Sequence, residues 1–110
     1  MISLQKVSRY SEAGEGSVHA LEEVSLEIGR NEFVAVVGPS GCGKSTLMHL
    51  IAGLDRPTAG EIIVDGLSLT TAGDAQLTDF RRHRCGLVFQ FFNLLPTMNA
   101  LENVTLPLLL

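Results

Sequence analysis

Several sequence features are rare or absent in this chain, and each absence argues against a class of protein. It has only two cysteines, Cys42 and Cys85, and they form no C-x-x-C pair, so we expect reduced thiols in a cytosolic setting rather than a disulfide framework. No run of 18 apolar residues occurs and the N-terminus lacks the pattern of a signal peptide, so no membrane span is predicted. Basic residues are outnumbered by acidic ones, 8 to 12, which argues against nucleic-acid binding.

What the chain does have is a glycine-rich motif near its centre. Residues 38–45 read Gly-Pro-Ser-Gly-Cys-Gly-Lys-Ser and fit G-x-x-x-x-G-K-[ST], the loop that holds nucleotide phosphates. We expect Gly38, Gly41 and Gly43 to adopt positive φ angles that a Cβ would oppose. Such a backbone turns successive N–H groups inward and forms a concave nest for an anion.

The end of the motif supplies the charged and metal-binding groups. A helix predicted to begin at Lys44 directs its positive dipole end toward the bound phosphate. In such loops the Lys44 ammonium reaches the β- and γ-phosphates, and the Ser45 hydroxyl ligates Mg²⁺. Thr46 follows and can donate one more hydrogen bond to a phosphate.

The flanking segments match this interpretation. Residues 33–37, Phe-Val-Ala-Val-Val, predict a buried strand of a parallel sheet, apolar on both faces. Residues 46–52 predict a helix closed by Gly53. The alternative, a glycine-rich turn with an incidental lysine, does not explain the sequence of strand, loop and helix.

The remaining pattern predicts a small antiparallel β portion on a parallel α/β core. Alternation and turn residues predict strands at 2–10 and 24–28, a polar loop at 12–17, a hairpin joining 61–64 to 67–69, and a buried strand at 85–89. Short helices are predicted from Asp74, as N-cap, to Arg82 and from Thr97, as cap, to Asn103. Together these elements predict the α/β fold class.

The order of these motifs resembles the ATP-binding subunits of ABC transporters, most closely the group that serves lipoprotein release and macrolide export. Tyr10, within residues 7–10, is similar to the A-loop aromatic that stacks on adenine. Residues 38–46 correspond to Walker A, and residues 86–90 resemble the Q-loop, which ends at Gln90. The other segments that carry the likeness are 20–26, 54–61, 92–96 and 99–104.

The resemblance implies a set of site residues for ATP and Mg²⁺. The implied nucleotide-binding residues are Tyr10, Gly38, Pro39, Ser40, Gly41, Cys42, Gly43, Lys44, Ser45, Thr46 and Gln90. Ser45 and Gln90 are the implied Mg²⁺ ligands, and the Gln90 amide oxygen suits a hard cation. The plainer interpretations are that Tyr10 packs against the core, that Gln90 merely ends a strand, and that Cys42 is a small packing residue.

The resemblance implies a P-loop NTPase core plus the N-terminal antiparallel β portion of an ABC ATPase. Residues 1–110 are then the N-terminal part of one ATP-binding domain, from Walker A to the Q-loop. The Leu-Ser-Gly-Gly-Gln signature, the Walker B strand and the switch histidine do not occur in them. No catalytic residue is therefore assigned, and we expect residues 1–110 alone to bind nucleotide at most. We also expect residues 33–37 to lack their neighbouring strands.

The implied function is to couple ATP binding and hydrolysis to export or lipoprotein release. The implied partners are a transmembrane permease, contacted through the region after Gln90, and a second ATP-binding subunit in a homodimer; nucleic acid is not among them. The implied location is peripheral, on the cytoplasmic face of the inner (plasma) membrane. Alternatives are the ATPase of a cell-division complex, a non-catalytic ATP-binding fragment, and a P-loop enzyme such as a small-molecule kinase.

Two segments, 81–84 and 91–96, each allow two interpretations. The basic run 81–84 either complements a helix dipole on a solvated face or lies near the membrane partner. The apolar stretch 91–96 either packs in the core or forms an interface with the permease.

Overall fold

A computed structural model describes residues 1–12 and 16–109, so part of the predicted loop at 12–17 lies outside the described residues. Four antiparallel strands form one sheet in the order β2-β1-β3-β4. The strands are β1 (Ile2–Glu12), β2 (Ser17–Ile28), β3 (Ala59–Val64) and β4 (Leu67–Ser68). The helices are α1 (Lys44–Ile51), α2 (Asp74–Arg84) and α3 (Ala100–Thr105), and a 3-10 turn spans Leu106–Leu109.

The sheet follows the alternation of apolar residues along its strands. Ile2 pairs with Ile28 on one side of β1 and with Val64 on the other, so apolar side chains of three strands share a face. The ladder is irregular after Leu4, where Lys6 takes a φ of 48°. The predicted strands at 2–10 and 24–28 are confirmed, and both extend further than the pattern indicated.

The predicted hairpin between β3 and β4 is also confirmed. Asp65 and Gly66 both have positive φ angles, 47° and 83°, as a two-residue type I′ turn requires. Ile63 then pairs with Ser68, and Val64 with Leu67. The turn residues therefore set the register of this hairpin.

The core lies between one face of the sheet and helices α1 and α2. Each element supplies apolar side chains with almost no exposed surface: Leu4, Val7, Leu21, Leu47, Leu50, Ile62, Leu69, Leu77 and Phe80. Burial of these groups, at about 25 cal/mol per Å² of apolar surface, is the main stabilisation of this part of the chain. Among the described residues, no helix is long and apolar enough to cross a membrane.

The helix ends partly match the predictions. Gly53 has a φ of 73° just after α1, as predicted for a glycine that ends a helix. Two predicted caps are wrong. The N-cap of α2 is Gly73, because its N–H donates to Gln76 Oε1 at 2.9 Å and Asp74 is the first helical residue.

The second wrong cap is at α3. Asn99, not Thr97, caps this helix, because its side chain accepts from the N–H of Glu102 at 2.8 Å. Helix α3 consequently begins two residues later than predicted.

Two predicted buried strands are not formed. Residues 33–37 and 85–89 carry no strand, and Phe33 and Val88 are fully exposed. A strand needs neighbours for its backbone N–H and C=O groups, and none of the described strands pairs with either segment. The bare apolar surface expected for residues 33–37 is therefore present.

Candidate functional site

The glycine-rich loop leads directly into helix α1. Gly43 is the N-cap with a φ of 99°, and no side chain caps the helix. Gly41 also has a positive φ, 80°, so two of the three glycines behave as predicted. The unbonded amides of the first turn of α1 therefore remain available to an anion.

Gly38 does not take a positive φ, so that prediction is wrong. A Cβ added to Gly38 would lie 2.6 Å from Cys42 Sγ. The close contact here is with the exposed Cys42 side chain, which can move, and the backbone conformation of Gly38 does not itself demand glycine. Gly43 has a firmer steric demand, since a Cβ there would meet the backbone carbonyl oxygen of Ala20 and lie 3.0 Å from Leu21 Cδ2. Strand β2 thus packs against the base of the loop.

The Lys44 ammonium lies over the loop itself. Its Nζ donates to the carbonyl oxygens of Gly38 at 2.6 Å and Pro39 at 2.8 Å, and lies 3.5 Å from Cys42 Sγ. Carbonyl oxygens are weaker partners for an ammonium than phosphate oxygens are. The loop therefore holds one positive charge where an incoming phosphate can reach it.

Lys44, Ser45 and Gln90 line one cavity of about 660 Å³. Apolar side chains from the two unpaired segments and from α1 complete it, among them Val34, Val36, Met48, Val88 and Phe89. The Ser45 hydroxyl and the Gln90 amide supply neutral oxygen ligands, which suit Mg²⁺ when phosphate oxygens complete its shell. No group of three or more His, Cys, Asp or Glu residues within the described ranges can hold a metal ion.

Tyr10 lies elsewhere, on a separate cavity of about 1,090 Å³ on the sheet. It is half-buried and outside the buried core cluster, so it does not act as a core aromatic. Its ring packs on His19, its cross-strand partner, with ring centroids 4.1 Å apart and planes tilted by 33°. Lys44, Ser45 and Gln90 thus line one cavity together, and Tyr10 lines another.

A polar clamp on Tyr10 was not predicted from sequence. The Tyr10 N–H donates to Thr58 Oγ1 at 2.9 Å, and Arg9 Nη1 donates to the Tyr10 carbonyl at 2.6 Å. Arg9 is itself paired with Asp55, with Nε–Oδ2 at 2.8 Å. These partners are 46 to 48 residues apart in sequence, so no local pattern could have shown the contact.

The Asp55 carboxyl group and the Cys85 thiol both have shifted pKa values. The hydrogen bond from Arg9 lowers the pKa of Asp55, and the Arg56 N–H and the charge of Arg9 act in the same direction, against partial desolvation. Burial raises the pKa of the Cys85 thiol, partly offset by the charge of Arg81. Cys42 and Cys85 are not joined by a disulfide.

The basic run 81–84 has defined structural roles. Arg81 Nη1 donates to the Gly53 carbonyl at 2.7 Å, and Arg84 pairs with Asp65 at 2.8 Å. The run also lies at the C-terminal end of α2, where cations complement the helix dipole. These contacts favour the structural interpretation of Arg81 and Arg84 over a role at the membrane.

The stretch after Gln90 is exposed and apolar. Phe91, Phe92, Leu94 and Leu95 all have exposed side chains, so core packing within the described residues is excluded for them. Phe92 and Asn93 have positive φ angles of 61° and 57°, which mark a tight turn here.

Comparison with known proteins extends this picture. Residues 21–107 match a family model described as ABC transporter. The chain is 47% identical over 99% of its length to an uncharacterised ABC transporter ATP-binding protein, MJ0796, of Methanocaldococcus jannaschii, and covers 46% of that protein. It is 48% identical over 89% of its length to the lipoprotein-releasing system ATP-binding protein LolD of Geobacter metallireducens, of which it covers 44%.

Two further matches concern an exporter and a solved structure. The macrolide export ATP-binding/permease protein MacB of Aggregatibacter actinomycetemcomitans is 44% identical over 97% of the chain, which covers 17% of that protein. A dimeric structure of the MJ0796 cassette in a post-hydrolysis state, bound to ADP and Pi, superposes with a TM-score of 0.95 at 46% identity, over 99% of this chain and 47% of that one. The predicted fold class is confirmed by this match, and the chain spans about half the length of the ATP-binding relatives it matches.

Proposed function

Because this chain belongs to the ABC transporter ATP-binding family, we propose that it binds the triphosphate of Mg·ATP through residues 38–46. It then forms the N-terminal part of one ATP-binding domain within a longer nucleotide-binding subunit. ATP binding and hydrolysis by that subunit drive export or lipoprotein release through a membrane partner, the functions in the names of MacB and LolD.

One observation carries the proposal: the Lys44 ammonium lies on the glycine loop at the uncapped N-terminus of α1. Loop amides, helix dipole and ammonium then act on the same anion, and each favours negative charge. Pro39, Ser40, Gly41 and Cys42 form the exposed turn over which the phosphates lie.

The remaining site residues have separate tasks. Ser45 and Gln90 would hold Mg²⁺, which would neutralise part of the phosphate charge. Thr46 donates to a phosphate, and Tyr10 stacks on the adenine. The residues that activate the attacking water belong to the rest of the subunit, so residues 1–110 contribute binding and positioning, not the hydrolytic step.

The partners follow the same family relationship. The exposed apolar segment 91–95 contacts a transmembrane permease, since apolar patches of this kind mark interaction surfaces. Two ATP-binding subunits form a homodimer, as in the dimeric MJ0796 structures. The complex lies peripherally on the cytoplasmic face of the membrane.

The test compares the only two lysines of the chain. Lys44→Gln removes the ammonium from the loop, and Lys6→Gln removes the other one from strand β1. We expect Lys44→Gln to weaken Mg·ATP binding roughly 10- to 100-fold in calorimetry, because charge-assisted hydrogen bonds are lost. Lys6→Gln should leave the affinity for Mg·tripolyphosphate, which has no base, unchanged, because Lys6 lines the cavity at Tyr10 and not the loop. Equal affinities for both variants and the unsubstituted chain would refute the phosphate site.

A further inference from the structure

The main chain of Tyr10 is held on both of its polar groups. Its N–H donates to Thr58 Oγ1 at 2.9 Å, and its carbonyl accepts from Arg9 Nη1 at 2.6 Å and from the Thr58 hydroxyl at 3.5 Å. The Thr58 N–H also donates to the Ser8 carbonyl at 2.8 Å. Strand β1 is therefore tied to Thr58 at both Ser8 and Tyr10.

Arg9 is fixed in turn by Asp55. Its Nε donates to Asp55 Oδ2 at 2.8 Å and its Nη2 to Oδ1 at 3.5 Å, so the guanidinium presents two donors to one carboxylate. Asp55 Oδ1 also accepts from the Arg56 N–H at 2.8 Å. A carboxylate held in this way fixes the direction from which Arg9 reaches the Tyr10 carbonyl.

Asp55 and Thr58 belong to the turn that directly follows α1. The Leu54 N–H donates to the His49 carbonyl at 2.9 Å, which joins this turn to the last turn of the helix. The other end of α1 carries the phosphate loop, and an eight-residue helix is about 12 Å long. Helix α1 and the turn that follows it therefore connect Lys44 to the residues that hold the backbone of Tyr10.

We propose that Arg9, Asp55 and Thr58 are positioning residues that fix Tyr10, and with it the adenine ring, relative to the phosphate loop. This proposal rests on the proposed function, in which Tyr10 stacks on adenine while the loop binds the triphosphate. The two contacts are made by opposite ends of one ligand, so the stack forms fully only when the distance between ring and loop is correct.

The test uses two ligands that differ only at the end that Tyr10 binds. Mg·ATP has both adenine and triphosphate, whereas Mg·tripolyphosphate has no base. We expect Thr58→Val and Asp55→Asn each to weaken Mg·ATP about fivefold in calorimetry, since part of the stacking is lost. Both variants should bind Mg·tripolyphosphate like the unsubstituted chain.

Thr105→Val is the matched control. Thr105 also makes a hydroxyl hydrogen bond to a backbone carbonyl, that of Leu101 at 2.8 Å, but it lies in α3. This variant should bind both ligands normally. Equal losses for both ligands in Thr58→Val and Asp55→Asn, or no loss of Mg·ATP affinity, would overturn the positioning role. Failure of the phosphate site would appear differently, as tripolyphosphate binding that is insensitive to Lys44→Gln.

A second measurement needs no nucleotide. Tyr10 is the only tyrosine and the chain has no tryptophan, so ring signals from tyrosine-labelled protein report on this residue alone. In the unsubstituted chain the Tyr10 ring should show an NMR contact to the His19 ring, 4.1 Å away. Thr58→Val and Asp55→Asn should weaken that contact and shift the ring signals, and Thr105→Val should not. Unchanged Tyr10 signals in all three variants would contradict the proposal.

Discussion

Two regions of this chain are rich in apolar residues, and only one of them is buried. In the sheet and its two helices, Leu50 and Ile62 have no exposed surface. In the segments 33–37 and 86–95, Phe33 and Phe91 are 101% and 84% exposed. The strands of the first region find their partners within residues 2–68, whereas the second region has no paired strand among the described residues.

This contrast separates the hydrophobicity of the side chains from the pairing of the backbone. An apolar run in the sequence reports on the first and not on the second. Apolar runs indicate which side chains the family fold buries, because transfer from water depends on side-chain chemistry. Whether such a run becomes a strand depends on neighbouring backbone, because each strand needs partners for its N–H and C=O groups. Within the described residues no strand lies beside 33–37 or 86–95, so these apolar runs remain unpaired.

The largest expected effect compares a truncation in each region. Leu50→Ala should lower the free energy of unfolding by about 3 kcal/mol, because it removes buried methyl groups and leaves a cavity. Phe33→Ala should change it by less than about 0.5 kcal/mol, because the ring already contacts water. Urea unfolding followed by circular dichroism measures both. A Phe33→Ala cost close to that of Leu50→Ala would show that residues 33–37 pack after all.

A smaller effect is expected from adding one methyl group to a glycine in each region. Gly60 has a φ of 87° and lies in β3 against the Lys6 carbonyl, so Gly60→Ala should cost about 2 kcal/mol. Gly86 has no atom within 4 Å of a new Cβ, so Gly86→Ala should cost almost nothing. Thermal unfolding of the two variants measures the difference. Equal melting temperatures would mean that β3 is not seated against β1 as described.

The smallest effect is the pH dependence of the Arg9–Asp55 ion pair, which belongs to the region of the sheet and its two helices. Because Arg9 lowers the pKa of Asp55 in the folded chain, this carboxylate stabilises the fold above about pH 4, its unfolded pKa, and loses that stabilisation as the pH falls further. The pair is partly exposed, so the contribution is about 0.5 kcal/mol. The stability difference between the unsubstituted chain and Asp55→Asn should be present at pH 6 and vanish near pH 2. A difference that is constant across this range would exclude the ion pair as its cause.

Local patterns predicted the elements whose causes are local. The β3–β4 hairpin and the end of α1 depend on residues able to take positive φ, and Asp65, Gly66 and Gly53 do so. The caps of α2 and α3 were assigned to the wrong residues, because several polar or small residues compete near each helix start. At Asn99 the choice depends on the reciprocal bonds with Glu102.

The candidate site likewise has one part that depends on contiguous residues and another that depends on long-range contacts. The candidate phosphate loop could be predicted because its residues are contiguous and their spacing has a physical reason. Gly38 does not take the positive φ that the motif predicts. Its nearest neighbour is the Cys42 side chain, and the motif does not specify how side chains pack within the loop. The clamp of Arg9, Asp55 and Thr58 on Tyr10 joins β1 to a turn 46 to 48 residues away, and only the folded chain shows it.

The sequence by itself determined where the chain turns, which faces are apolar, and which eight contiguous residues have the composition and spacing of a phosphate-binding motif. These properties depend on backbone conformation and side-chain chemistry over a few residues. The tertiary structure alone decided which apolar segments became strands and which groups hold Tyr10. Strand pairing, and the hydrogen bonds that hold Tyr10, need partners from distant parts of the chain. Only the folded chain brings those partners within hydrogen-bonding distance.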